Sequence, residues 1–106
     1  MPSLKSNPTL KDFQEYVVEL EKERSFDSQN VQDKCLLLGE EVGELFKSIR
    51  KYHTSLKVDE NSKVDDAASE LADILIYLLS ISNRLDVDLE QAFRDKEEIN
   101  KKRKWA

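Results

Sequence analysis

Leu10, Phe13, Val17 and Leu20 recur at steps of three and four residues, the interval that stacks side chains on one face of an α-helix. Pro8 suits the first turn of that helix with Asn7 as its cap, and the pattern runs to about Arg24. The polar stretch SFDSQN, residues 25–30, interrupts it. A second stripe follows at Val31, Cys35, Leu38, Val42, Leu45, Ile49 and Tyr52, and predicts a long second helix. Residues 53–62 lose periodicity and read as a loop holding His53. A third helix begins between residues 62 and 65 and ends near Asn83 or Arg84, with the dense apolar run LADILIYLLSI inside it. After the short connection LDVDL, Asp86 or Asp88 can cap a fourth helix carrying Leu89, Ala92, Phe93, Lys96, Ile99, Asn100 and Arg103. The pattern predicts an all-α bundle of four main helices in one domain, residues 1–106.

Composition agrees: 37% of residues are charged and 39% hydrophobic, with only two glycines and two prolines among 106. A net charge of −5 argues against general affinity for nucleic acid or an anionic membrane, both of which need basic surface. The single Cys35 forms no internal disulfide and reads as a small core residue, and the start MPSLKSNPTLKDF lacks a signal-peptide core. The longest apolar run is too short to span a bilayer, so the expectation is a cytoplasmic protein. Leu36, Leu37 and Phe46 lie off the main seam of helix two, and nearly every residue of ILIYLLSI is apolar. That is more apolar surface than one small chain covers, which points to a homo-oligomer.

The acids change the picture further. Glu40, Glu41 and Glu44 fall in GEEVGEL, and Glu41 and Glu44, three apart, differ by only about 60° around the helix. Glu70 and Asp73 repeat that spacing in helix three. Any one of these glutamates is compatible with a solvated helix face. Asp73 is harder to place so, because it interrupts an apolar segment where an unpaired charge is strongly unfavourable; it calls for a cation, a basic partner or several donors. If the two helix faces meet, four carboxylates converge, and a bound cation relieves their repulsion. With one histidine and one cysteine in the chain, the ligand set is all oxygen and suits Mg²⁺ or Mn²⁺. The C-terminal RDKEEINKKRKWA places Lys96, Asn100 and Arg103 on one face, with donors suited to phosphate oxygens; Lys101, Lys102 and Lys104 point elsewhere. Acids for a metal and bases for phosphate together describe a polyphosphate site.

These residues resemble the MazG-like all-α nucleoside triphosphate pyrophosphohydrolases, whose signature is E-E-x-x-E followed by E-x-x-D. Here the segments are Glu40-Glu41-Val42-Gly43-Glu44 and Glu70-Leu71-Ala72-Asp73, with a late K-x-x-x-N-x-x-R at Lys96, Asn100 and Arg103. The resemblance implies hydrolysis between the α and β phosphates to a nucleoside monophosphate and pyrophosphate, in the service of nucleotide-pool house-cleaning. It implies Mg²⁺ held by Glu41, Glu44, Glu70 and Asp73, with Glu40 and Glu41 as the candidate catalytic carboxylates. A ligand, water-orienting or salt-bridge role for Glu40 stays open. By the same likeness Tyr77 approaches the nucleoside, while Lys96, Asn100 and Arg103 hold phosphates or sugar. Phe13, Gln14 and Phe26 are candidates for base contact, and a homodimer, sometimes doubled to a tetramer, completes a four-helix core. The alternative is a non-catalytic helical module that dimerises or senses nucleotides.

Overall fold

The computed structural model describes residues 1–52 and 67–103. They form four helices and no strand: α1 (Leu10–Glu23), α2 (Val31–Tyr52), α3 (Ala67–Arg84) and α4 (Leu89–Lys101). The all-α architecture read from the periodicity is therefore present. His53, the expected loop, the expected start of the third helix and Lys104 lie outside the described residues.

Helix starts are set by reciprocal side-chain caps. The N-cap of α1 is Thr9 and not Asn7: the Asp12 N–H donates to Thr9 Oγ1 at 3.1 Å, and the Thr9 N–H donates to Asp12 Oδ2 at 2.9 Å. Two otherwise orphaned donors are satisfied at once, which a cap at Asn7 does not achieve. Asn30 and Asp33 exchange the same pair of bonds before α2, at 2.8 and 3.1 Å. Of the two candidates before α4, Asp88 is the cap, accepting from the Gln91 N–H at 3.1 Å.

α1 and α3 end alike. After α1, Ser25 takes a left-handed φ of 61°, its N–H donates to the Lys22 carbonyl, and Phe26 donates to the Glu21 carbonyl. After α3, Asp86 at φ 59° and Val87 donate to Asn83 and Ser82. Both are Schellman closures made without glycine. Gln14 locks the second of them. Its Nε2 donates to Asn83 Oδ1 and to the Val87 carbonyl, and its Oε1 accepts from the Leu89 N–H, so its amide is committed to the α3–α4 turn.

α3 is the central element, packed against both α2 and α1, while α4 packs on α1. Among the described residues Val17, Leu20 and Leu79 are the buried apolar ones, with Leu10, Phe13, Tyr16, Ile76 and Leu89 packed around them. Buried polar residues outnumber these within the described part of the chain, among them Gln14, Glu21, Lys34, Ser48, Glu70 and Ser80. On α2 the buried face runs through Lys34 and Ser48, with Glu41 midway at seven-residue steps, and so turns to α3 a polar face. The expected apolar stripe of α2 is only half-buried or exposed, and Cys35, expected in the core, is exposed for the same reason. The Cα radius of gyration is 16.8 Å, against about 13 Å for a compact domain of about 100 residues.

Candidate metal and nucleotide site

On α3, Glu70, Asp73, Tyr77, Ser80 and Arg84 follow one another at steps of three and four residues and share one face. That face meets the polar face of α2. One carboxylate oxygen each from Glu41, Glu70 and Asp73 lies within 4.8 Å of the other two. Glu40, Gly43, Glu44 and Ser69 complete the lining of the cleft above them. Glu70 is buried and Glu41 and Asp73 are half-buried. The four-carboxylate convergence expected from the motif thus resolves into three grouped acids and Glu44 at the exposed rim, because Glu41 is the member of the pair that faces α3.

No lysine or arginine forms an ion pair with Glu41 or Asp73 among the described residues. A structural salt bridge therefore does not explain why Asp73 interrupts its apolar run. The donor set fits a hard divalent cation: it is all oxygen, and an ion coordinated at about 2.1 Å joins oxygens up to about 4.2 Å apart, within a small side-chain rotation of the present spacing. Tyr77 registers the same negative charge. Burial, and then the charges of Glu41, Asp73 and Glu40, push its phenol above the ordinary value, which keeps it a neutral O–H donor.

Asp73 and Tyr77 also line a second cleft of about 300 Å³, whose other walls include Phe26, Lys34, Leu37 and Ile76. Its floor is an ionic network that the sequence reading missed. Glu21, 5% exposed, accepts from Ser80 Oγ and Arg84 Nη1 on Oε1, each at 3.0 Å, and from Arg84 Nη2 on Oε2 at 2.8 Å. Lys34 Nζ stands 3.3 Å from the same Oε2. Burial favours the neutral acid, but the hydrogen bonds from Arg84 and Ser80, with the Arg84 charge and Lys34, outweigh it and hold the carboxyl below its ordinary value. Spacing could have signalled the network, since Lys34 precedes Glu41 by seven residues and Arg84 follows Asp73 by eleven, two and three helical turns along the same faces.

Lys96 and Asn100 lie on α4 as expected, but Arg103, expected on the same helix, falls beyond its end because the chain leaves the helix at the Lys102 cap. None of the three lines the carboxylate cleft, which α2 and α3 supply. Lys96 and Arg103 are exposed, and Asn100 Nδ2 donates to Glu97 Oε2 at 2.8 Å. Of the three base-contact candidates, Phe26 lies in the second cleft, Phe13 packs on the core, and Gln14 serves the turn.

A profile of the MazG nucleotide pyrophosphohydrolase domain matches residues 29–104. The chain belongs to the MazG nucleotide pyrophosphohydrolase family. The family expected from the acidic motifs is thereby shown. dCTP pyrophosphatase 1 of Bos taurus is 38% identical over 111 aligned positions, which cover 95% of this chain and 62% of that protein. The chain thus spans less than two thirds of that relative's length. The MazG match includes both acidic segments and begins after α1, so Glu21 and Phe26 stand outside it while Lys34, Tyr77 and Arg84 stand within. Among the described residues no helix is long and apolar enough to cross a membrane.

Proposed function

We propose that this MazG-family chain hydrolyses a deoxynucleoside triphosphate between its α and β phosphates, with dCTP as the first candidate because a similar protein bears that substrate in its name. The observation that carries the reading is the meeting of three carboxylate oxygens within 4.8 Å, unneutralised by any described basic side chain at Glu41 or Asp73, beside a cleft walled by Phe26 and Tyr77. Asp73 borders both spaces. A triphosphate laid across it has its phosphates over the acids and its base against the rings.

Glu41, Glu70 and Asp73 would hold Mg²⁺, with Mn²⁺ as a substitute and Glu44 drawn in from the rim. Bound there, the metal neutralises the triphosphate and lowers the pKa of a coordinated water for attack at the α-phosphorus. Glu40, which lines the same cleft, would accept or orient a proton of the attacking water. Tyr77 offers its O–H to the nucleoside. Lys96, Asn100 and Arg103 act on phosphate or sugar, and we place them there through assembly with a second chain. Support for a homodimer, or a pair of dimers, comes from the exposed leucines 71, 75 and 78 on α3 and from Leu36 and Phe46 on α2.

Product analysis tests the reaction. With Mg²⁺ and dCTP the expected products are dCMP and pyrophosphate, separated by ion-exchange chromatography. Release of dCDP and orthophosphate rejects attack at the α-phosphorus, and no turnover across the nucleoside triphosphates returns the chain to a sensing role.

A further inference from the structure

At the floor of the second cleft two cations face one acid, since Asp73, which also lines the cleft, belongs to the carboxylate cluster. Glu21 carries one negative charge, and Arg84 alone satisfies it with a two-pronged contact from Nη1 and Nη2 at 3.0 and 2.8 Å. Lys34 adds a second positive charge at a side chain only 4% exposed, where an ammonium is held at a penalty unless it has partners. Its other neighbours are two ring faces, Phe26 with its centroid 5.2 Å away and Tyr77 at 5.6 Å. A carboxylate offers about four acceptor positions, and Ser80, Arg84 twice and Lys34 occupy those of Glu21. The carboxylate on the cleft floor therefore has nothing left to accept from a ligand. Lys34 does have something to give: of its three N–H groups only one direction is taken by Glu21, and it forms no hydrogen bond with any other described residue.

We infer that Lys34 is the specificity-determining residue of the base cleft, donating to an acceptor on the nucleobase, a carbonyl oxygen or a bare ring nitrogen, while the ring packs against Phe26 and Tyr77. Glu21 and Arg84 are positioning residues that hold the ammonium at that depth. The cleft volume of about 300 Å³ sits at the small end for ligand pockets and suits a base rather than a whole nucleotide. The inference rests on the reading that this cleft takes the nucleoside end of a triphosphate.

The experiment pairs a protein change with a ligand change. Lys34→Met keeps the length and removes the donors, and a triphosphate bearing a phenyl ring in place of the base keeps the stacking and removes the acceptors. Parent enzyme should prefer dCTP over the phenyl triphosphate in kcat/KM by about tenfold or more, the scale of one charge-assisted hydrogen bond. Lys34→Met should lose that factor on dCTP and nothing on the phenyl compound. Equal loss on both compounds, or none on either, overturns the contact. If the variant melts well below the parent, the parent alone still decides, because indifference to the phenyl replacement also overturns it. If the parent hydrolyses no triphosphate, the pyrophosphohydrolase reading fails by itself. Calorimetric titration of parent and variant with deoxycytidine in EDTA then tests Lys34 separately: about tenfold weaker binding in the variant supports it, and equal binding, or no binding to the parent, overturns it.

Discussion

Asp73 and Glu21 are both half-hidden or buried acids, and they should respond in opposite ways to losing their charge. Asp73 lies among like charges, so Asp73→Asn or Glu41→Gln should abolish hydrolysis yet leave the melting temperature in EDTA equal to or above the parent's, while erasing the rise produced by millimolar Mg²⁺. Thermal melts with and without metal check this. Glu21 lies between two cations, and Glu21→Gln strands them in the interior, a loss of about 3–5 kcal/mol by urea unfolding. The pH dependence has a definite sign. Because the folded carboxyl titrates below the unfolded one, the stability it supplies is complete above the unfolded value of about 4.3 and is lost as pH falls through the folded value. The gap between parent and Glu21→Gln should be constant near neutrality and should narrow on acidification below about pH 4. Sequence made Asp73 legible because an acid inside LADILIYLLSI contradicts its surroundings. Glu21, Lys34 and Arg84 were not, since each sits at the edge of an ordinary amphipathic pattern and only packing shows that they meet.

The four helices could be read from the 3.6-residue period. The end of α1 near Arg24, the start of α2 at Val31, the end of α3 at Arg84 and Asp88 as a cap could also be read. The start of α1 could not, because it depends on two hydrogen bonds that leave no mark on periodicity. Thr9 shows this: Pro8 drew the first turn two residues early, whereas the pairing of a threonine with an acid three residues on sets the boundary. Thr9→Ala should therefore lower stability by about 1 kcal/mol. The closure after α1 gives a change of the other sign. Ser25 holds a left-handed backbone that glycine adopts freely, and the relief exceeds glycine's added unfolded-state entropy. Ser25→Gly is expected to raise unfolding free energy by ~0.5–1 kcal/mol, read from urea midpoints at unchanged slope.

At the scale of the molecule, the periodicity located the apolar residues of α2 but not how deeply each is buried: Val31, Leu38, Val42 and Leu45 of the expected seam are half-buried, and Cys35, Ile49 and Tyr52 are exposed. The most buried side chains of α2 are polar, Lys34 and Ser48 with Glu41 between them, while Leu36 and Phe46 are exposed and Leu37, Leu38 and Leu45 half-buried. No pattern in one sequence states whether an apolar stripe packs inside a chain or between chains. A charge placed in the exposed α3 row reads this out: Leu75→Lys should halve the mass found by sedimentation velocity or, where the assembly is a pair of dimers, reduce it to a smaller species. That only Val17, Leu20 and Leu79 are buried apolar side chains among the described residues then has a consequence for how the protein lives in solution. In the homodimer proposed above, folding would draw on association, and the folded fraction would obey mass action. The melting temperature should climb with protein concentration, and a freshly made or highly diluted chain remains open to proteases until it meets another copy.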